Sequence, residues 1–375
     1  MPFAAALSVH PVTATAVGEA AGQVLEDLGP NPDLVVLFVT PHHAGALEDA
    51  AGALRALLEP TVLFGCAAVS VLGQRHEAEE EPGVSVWAGR FGPVRAARFT
   101  MDSLGAGGAA VAELPFPPQA LLLVADPFSF DVSALYEQVG GLPVIGGNAS
   151  AARGPGGNRL VLDGGVFTDG AVGAFIGPGA LIEPVVSQGC RPIGNPYVVT
   201  KAERNIVYEL AGKPALERLV EMVNGGAIPD EDVRLINSGL HLGTVIDEHK
   251  DRFERGDFLI RNVLGADREI GAIAVGDEVA LGSTVQFHVR DAASADEDLH
   301  AALDGHGDVD GALLFTCNGR GRRLFGLPHH DAEVFDEEVG APVAGFFAAG
   351  EFGPVGGRNF LHGFTASVAL FRDPR

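Results

Sequence analysis

Basic residues are scarce in this 375-residue sequence. Twenty-five lysines and arginines stand against 49 aspartates and glutamates, which gives a formal net charge of -24 at pH 7. A surplus of negative charge repels the phosphates of nucleic acids and anionic lipid surfaces, so we expect neither a nucleic-acid partner nor a membrane partner. The acidic residues are scattered along the chain, and they could equally reflect adaptation of the host to salt.

Cysteine is also rare, and no long apolar run is present. Cys66, Cys190 and Cys317 are odd in number, widely separated and in no C-x-x-C pair, so neither a disulfide framework nor a zinc cluster is indicated. The N-terminal stretch lacks a basic, apolar leader, and no run approaches the roughly 18 apolar residues of a membrane span. We therefore expect a cytoplasmic protein without a bound metal.

No phosphate-binding loop is recognisable. The glycines of the Gly319-Arg320-Gly321 turn and the Gly356-Gly357 pair lack the lysine and hydroxyl residue that complete such a loop. The sequence therefore predicts no nucleotide cofactor, and we expect no cofactor of any other kind.

Three stretches of the chain repeat the order strand, helix, strand. In each, a first apolar strand stops at a polar residue and a second strand leads into a glycine turn. The first strands stop at Thr40, Asp126 and Cys317, and the corresponding glycine turns are at Gly65, Gly146 and Gly350. A crossover through a helix favours parallel pairing, which places both strand ends at the edge where open sheets bind ligands. The copies are imperfect and unequally spaced, so both duplication and ordinary α/β patterning explain them.

Other stretches favour antiparallel strands and local helices. Residues 13–28 show helical spacing of apolar positions, whereas residues 83–90 and 94–100 are predicted to pair about the turn Phe91-Gly92-Pro93. The predicted fold class is therefore α/β with mixed α+β content, in two lobes of mixed parallel and antiparallel sheets with helices on the outer faces. We place an N-terminal helix in 1–29, a first domain at 30–195 and a second at 196–375.

Several motifs together resemble one known family. They are CNGRGRRLFG at 317–326, PVAGFFAAGEFGPVGGRNFLHGFTASVALF at 342–371, FHVRD at 287–291, FGC at 64–66, IGGNAS at 145–150 and SQGCRPIG at 187–194. Over nearly the whole chain these motifs resemble the paired FIST N and FIST C domains. The resemblance implies an intracellular signal-transduction sensor that binds a small, amino-acid-like ligand and acts on a signalling protein partner.

Candidate ligand contacts follow from the strand ends and from the motifs. An amino-acid-like ligand needs an acceptor for its ammonium group, for which Glu351 is suited. Its carboxylate needs donors, for which Arg358 and Asn359 are suited. Equally, Glu351 could be a solvated loop carboxylate, and Arg358 could tie the last loop to an acidic side chain. The full predicted set is Cys317, Asn318, Arg320, Glu351, Arg358, Asn359, His362, Asn148 and Asp126.

Two other functions remain open at this stage. In a hydrolase or transferase, Cys317 would be the nucleophile, with His362 and Glu351 as base and orienting group. The nearby arginines, Arg320 among them, would favour the thiolate form of Cys317 if the thiol is partly exposed, although a lone cysteine in an apolar strand can equally be inert core. The third possibility is a protein-interaction scaffold.

Overall fold

Two compact units make up the protein. The computed structural model describes residues 2–105, 114–226, 228–250 and 252–373. The first unit comprises Met1–Val186 together with Leu299–Arg375, and the second unit is Ser187–Asp298. The units therefore divide the chain differently from the predicted segments 30–195 and 196–375, because the C-terminal residues belong with the N-terminal ones.

The first unit contains three successive copies of one order of elements. Repeat 1 consists of β1 (Phe3–Ser8), α1 (Thr13–Asp27), β2 (Leu34–Val39), α2 (Pro41–Ala44), α3 (Leu47–Leu58), β3 (Val62–Ala67), β4 (Ser70–Gly73), β5 (His76–Glu79) and β6 (Val84–Gly89). Repeat 2 consists of β7 (Val94–Phe99), α4 (Met101–Gly105), β8 (Ala120–Ala125), α5 (Val132–Val139), β9 (Val144–Asn148), β10 (Leu160–Leu162), β11 (Gly165–Phe167) and β12 (Ala171–Ile176).

The third copy is interrupted by the second unit. Repeat 3 opens with β13 (Leu181–Gln188). The inserted elements are β14 (Cys190–Glu203), β15 (Ile206–Leu210), β16 (Lys213–Pro214), α6 (Ala215–Asn224), α7 (Asp230–Ser238), β17 (Leu240–Val245), β18 (Phe258–Asp267), β19 (Ala272–Val275) and β20 (Thr284–Arg290). Repeat 3 continues with α8 (Ala292–Leu303), β21 (Gly311–Cys317), α9 (Arg322–Phe325), α10 (His330–Glu338), β22 (Val343–Ala348), β23 (Glu351–Val355), β24 (Arg358–His362) and β25 (Thr365–Arg372).

Each repeat contributes to a six-stranded sheet with the same strand order. Over the described residues the orders are β1-β6-β2-β3-β10-β11, β7-β12-β8-β9-β23-β24 and β13-β25-β21-β22-β4-β5. The central pairs β2–β3, β8–β9 and β21–β22 are parallel, which confirms the three predicted crossovers. The last two strands of every sheet are a hairpin from another repeat. The three repeats are therefore interlocked in a ring.

A leucine and a glycine face each other at the same place in all three parallel pairs. An added Cβ at the glycine would lie 1.7 to 1.8 Å from the carbonyl oxygen of the facing leucine, which no side chain can tolerate. The pairs are Leu37 with Gly65, Leu123 with Gly146, and Leu314 with Gly345. This shared register supports duplication of one unit over ordinary α/β patterning.

One predicted hairpin is wrong. β6 pairs with β1 and β2, whereas β7 pairs with β12, so the two strands lie in different sheets. The turn at Phe91-Gly92-Pro93 is the boundary between repeats 1 and 2. A turn motif in the sequence indicates that the chain changes direction, but it does not indicate which strand the next segment pairs with.

The three sheets share one apolar core. It includes Phe38 of the first sheet, Leu122 of the second, and Phe315 and Phe346 of the third. The ring centroids of Phe38 and Phe346 are 4.8 Å apart. Separate clusters join the other faces of the sheets to helices, with α1 and α3 on the first, α5 on the second, and α8 and α10 on the third. The predicted outer helices are thus confirmed.

The second unit is built on a single antiparallel sheet that closes on itself, because β14 pairs with both β20 and β15. Its core includes Ile193, Leu242 and Phe287. Within the residues that the structure describes, no helix is long and apolar enough to cross a membrane.

Candidate functional site

The ends of the central strands meet at a charged cavity in the first unit. Val69, which follows β3, donates its backbone N–H to Ser150 Oγ at 3.0 Å, and Ser150 Oγ donates to the carbonyl of Phe347 in β22. A cavity of about 580 Å³ opens at this point, and we call it the strand-end cavity. Its lining residues are Val69, Ser70, Glu79, Glu80, Ser150, Ala152, Arg153, Asn318, Arg322, Arg323 and Phe347.

Charges of both signs line the strand-end cavity. The backbone N–H of Arg322 donates to Glu79 Oε1 at 3.1 Å, and the two side chains approach to 3.9 Å. Burial raises the pKa of Glu79, although the Arg322 hydrogen bond and charge act in the opposite direction. Arg153 and Arg323 are exposed and form no ion pair with any residue that the structure describes. Two guanidinium groups are therefore available to an anion here.

A buried ion pair fixes the loop that carries the arginines. Arg320 is fully buried, and it donates from Nε and Nη2 to the two carboxylate oxygens of Asp331 at 2.7 and 2.8 Å. Burial opposes ionisation of Asp331, yet Arg320 and the hydrogen bonds from His330 and Thr316 hold its pKa well below the usual range. Arg320 thus positions the loop, and its charge is already matched.

Glu77 of β5 is buried and contacts the start of α10. Its Oε1 accepts the backbone N–H groups of Asp331 and Ala332 at 2.9 and 3.1 Å. Burial, together with the nearby Asp331 charge, raises the pKa of Glu77 to about 8. Glu77 is therefore protonated at neutral pH, and it can accept both N–H groups without placing a second negative charge beside Asp331.

The raised pKa of Glu77 predicts a loss of stability with increasing pH. An unfolded glutamate titrates near pH ~4.3 and folded Glu77 near about 8, so between these values the folded state binds more protons and stability falls as the pH rises. Glu77→Gln, which mimics the neutral acid, should flatten the decline in the free energy of unfolding measured by urea titration across that window. The exposed Glu80→Gln is the control and should leave the slope unchanged. A Glu77→Gln slope as steep as that of the parent would contradict the assignment.

The structure places part of the predicted site at this cavity. Asn318 is exposed and lines it, while Cys317 ends β21 beside it and is only 7% exposed. Cys66 and Cys190 are also buried, and burial raises the pKa of the Cys66 thiol.

Glu351 and Arg358 are not brought together. Glu351 begins β23, is fully buried, and accepts hydrogen bonds from the Thr365 hydroxyl at 2.7 Å and backbone N–H at 3.2 Å. Arg358 is exposed at the opposite end of the hairpin, where it pairs with Val355 while Glu351 pairs with His362. Four strand positions separate the two ends, or roughly 13 Å. The buried Glu351 carboxylate and the exposed Arg358 guanidinium therefore lie in different environments at the two ends of the hairpin.

The remaining predicted residues hold other parts of the fold. Asn359 accepts from the backbone of Val144 and donates to the carbonyl of Leu142. His362 Nε2 lies 2.9 Å from the Gly353 carbonyl oxygen, in a different sheet from Cys317.

Two predicted residues belong to repeat 2. Asp126 is fully buried and accepts hydrogen bonds from Ser129 and Asn158 at 2.6 and 2.8 Å. Asn148 lines a separate cavity.

The cavity also contains charged residues outside the predicted ligand set. Arg323 was considered, with Arg320 in the motif GRGRR, only as a neighbour whose charge favours the Cys317 thiolate. Glu79 and Glu80 belong to a short acidic run that is typical of a solvated face. Arg153 lies in a glycine-rich loop without periodicity, and no sequence signal connects it with the other residues.

The fold and the cavity define a triplicated α/β protein with a charged cavity where its strand ends meet. Residues 33–213 match the FIST N domain model and residues 215–354 match the FIST C domain model. The chain belongs to the FIST family, whose domains are associated with signal-transduction sensors. The boundary between the two matches falls inside the second unit.

Mycobacterial proteins are similar over their full length. An uncharacterized protein of Mycobacterium tuberculosis is 46% identical over 388 residues, covering 100% of both chains. An uncharacterized protein of Mycobacterium bovis is 46% identical over 370 residues, covering 95% of each chain. The similarity therefore extends through both family domains.

Proposed function

We propose that the protein is a cytoplasmic sensor whose strand-end cavity binds a small, amino-acid-like ligand and passes the signal to a protein partner. Arg153 and Arg323 hold the ligand carboxylate, Asn318 donates a further hydrogen bond, and Glu80 faces the ammonium group. The three free, buried cysteines suit a reducing compartment.

The observation that carries this proposal is the pair of available arginines. In a protein with a net charge of -24, two guanidinium groups without ion-pair partners among the described residues line one cavity. Guanidinium groups bind carboxylates through planar, paired hydrogen bonds, and such charged hydrogen bonds are among the strongest in proteins. The two guanidinium groups therefore favour a ligand that carries an anionic group.

The carboxylates in the same lining favour a zwitterion over a simple anion. Glu80 is exposed at the cavity, and Glu79 is held beside Arg322. These carboxylates repel a ligand that is negative throughout and attract an ammonium group. The Arg320–Asp331 pair keeps the loop that carries Arg322 and Arg323 in one conformation, which lowers the entropic cost of binding.

Thermal shift with the proteinogenic amino acids and small carboxylic acids should identify a ligand, because binding to the folded state alone raises the apparent stability. For the ligand found, calorimetry should show that Arg323→Ala weakens binding by about 10- to 100-fold, as expected for loss of a hydrogen bond to a charged group.

Arg358→Ala is the matched control, because Arg358 is also an exposed arginine but lies on the hairpin β23–β24. The affinity of Arg358→Ala for the ligand found should equal that of the parent protein. An equal loss in both variants, or no shift with any of these compounds, would contradict the proposed site.

A further inference from the structure

Repeat 2 carries a second cavity at the place that corresponds to the strand-end cavity in repeat 3. Its volume is about 610 Å³, and its lining residues are Met101, Pro127, Phe128, Ser129, Phe130, Asp131, Val132, Asn148, Ala349 and Leu361. We call it the repeat-2 cavity. Aligning the Leu123–Gly146 and Leu314–Gly345 pairs places Asn148 at the position of Phe347. The loops after β8 and β21 then line equivalent walls.

The wall of the repeat-2 cavity is mainly apolar. Phe128 is 43% exposed and Met101 is 41% exposed, although both are large hydrophobic residues. Two such side chains facing one cavity indicate a surface that is suited to an apolar ring. Among the residues that the structure describes, its lining contains no arginine or lysine, in contrast to the strand-end cavity. An anionic ligand is therefore disfavoured here.

One polar atom in this cavity lacks a partner. Asn148 is 95% buried, and its side-chain Oδ1 makes no hydrogen bond within the part of the chain that the structure describes. The backbone of Asn148 is fixed, because its N–H donates to Gly350 and its carbonyl accepts from Ala349, both at 2.9 Å. A buried acceptor held in place without a donor is costly, and a ligand donor would remove that cost.

Two other polar side chains of the wall, Ser129 and Asp131, already make hydrogen bonds within the protein. Ser129 Oγ donates to Asp126 and accepts from the backbone of Gly170 at 2.9 Å. Asp131 accepts from the backbone of Ser133 as the N-cap of α5. Asn148 Oδ1 is thus the buried side-chain acceptor of this lining that has no hydrogen-bond partner among the described residues.

We propose that the repeat-2 cavity binds a neutral, flat aromatic molecule that donates one N–H or O–H to Asn148 Oδ1 while its ring packs against Phe128. This site is separate from the strand-end cavity and takes a ligand of a different chemical class.

Indole and 1-methylindole form a matched pair of probes, because methylation removes the N–H donor and keeps the ring. In titrations of the full-length protein followed by ligand-observed NMR, indole should bind about three- to tenfold more tightly, the range expected for one neutral hydrogen bond. Asn148→Leu should remove this preference, and Phe128→Ala should weaken binding of both compounds.

Arg323→Ala separates this proposal from the proposed sensor function, since it should leave indole affinity unchanged while weakening amino-acid binding. If Asn148→Leu does not fold, the two probes with the parent protein and Phe128→Ala decide the question. Equal affinities for indole and 1-methylindole, a preference that survives in Asn148→Leu, or no binding at millimolar indole would each overturn the proposal.

Discussion

Gly345→Ala is expected to lower the free energy of unfolding by about 3 kcal/mol or more, above the usual range for an overpacked core. The new Cβ would lie 1.7 Å from the carbonyl oxygen of Leu314, and a backbone atom in the middle of a parallel pair cannot move aside as a flexible side chain can. Denaturation by guanidinium chloride, followed by circular dichroism, measures the loss. Gly65→Ala and Gly146→Ala should be similarly damaging.

Gly52→Ala is the control for this prediction. Gly52 is exposed in α3, and an added Cβ there has no atom within 4 Å. The same chemical change should therefore raise stability by about 0.5 to 1 kcal/mol, the helical preference for alanine over glycine. Stability of Gly345→Ala within error of the parent would refute the close approach of the two strands.

Asp331→Asn is expected to destabilise the protein by about 3 to 5 kcal/mol at neutral pH, as is typical when one partner of a buried ion pair is removed. The side chains of Asp331 and Arg320 are both fully buried, so the variant leaves a guanidinium charge in the core without the carboxylate to which it is hydrogen-bonded. Urea denaturation at pH ~7 measures the effect, because the pKa of Asp331 lies well below its usual range and the group is ionised there.

Asp336→Asn gives the same change of chemistry at an exposed pair in the same helix. Asp336 lies 2.5 Å from Arg75, and the two side chains are 36% and 56% exposed. The expected cost is at most about 1 kcal/mol, since water screens surface pairs. If the two variants lost equal stability, burial would not be the source of the Asp331 effect.

The elements that could be predicted from the sequence are those with local signals. The buried strands β2, β8 and β21 are continuous apolar runs. The run of β2 ends at Thr40, that of β8 at Asp126 and that of β21 after Thr316, and glycine or proline residues mark the limits of the crossovers. The exchange of hairpins could not be predicted, because the pairing of Val71 with Phe346 joins residues from opposite ends of the chain and leaves no local pattern.

The contrast between local signals and long-range pairing also explains which site residues could be predicted from the sequence. Asn318 was identified because it follows a predicted strand, and a residue at a strand end faces the edge of the sheet. Glu351 was interpreted as part of a turn after Gly350, yet it begins a strand whose neighbour across the sheet is Gly147 of repeat 2. That long-range pairing buries the carboxylate. Arg153 reaches the cavity through tertiary packing alone, so its role could not be inferred from its neighbours in sequence.

The ring of exchanged hairpins has a consequence for folding during synthesis. The hairpin β4–β5 belongs to repeat 1, but its partner strand β22 belongs to repeat 3 and is synthesised only after repeat 2 and the inserted unit. Until β22 is synthesised, the edge of β4 that pairs with it has no native partner, and unpaired strand edges promote association between chains. Pairing across such long sequence separations is also slow. The first repeat therefore needs protection from association with other chains until repeat 3 has been synthesised. The ring of three sheets closes only when all three repeats are present.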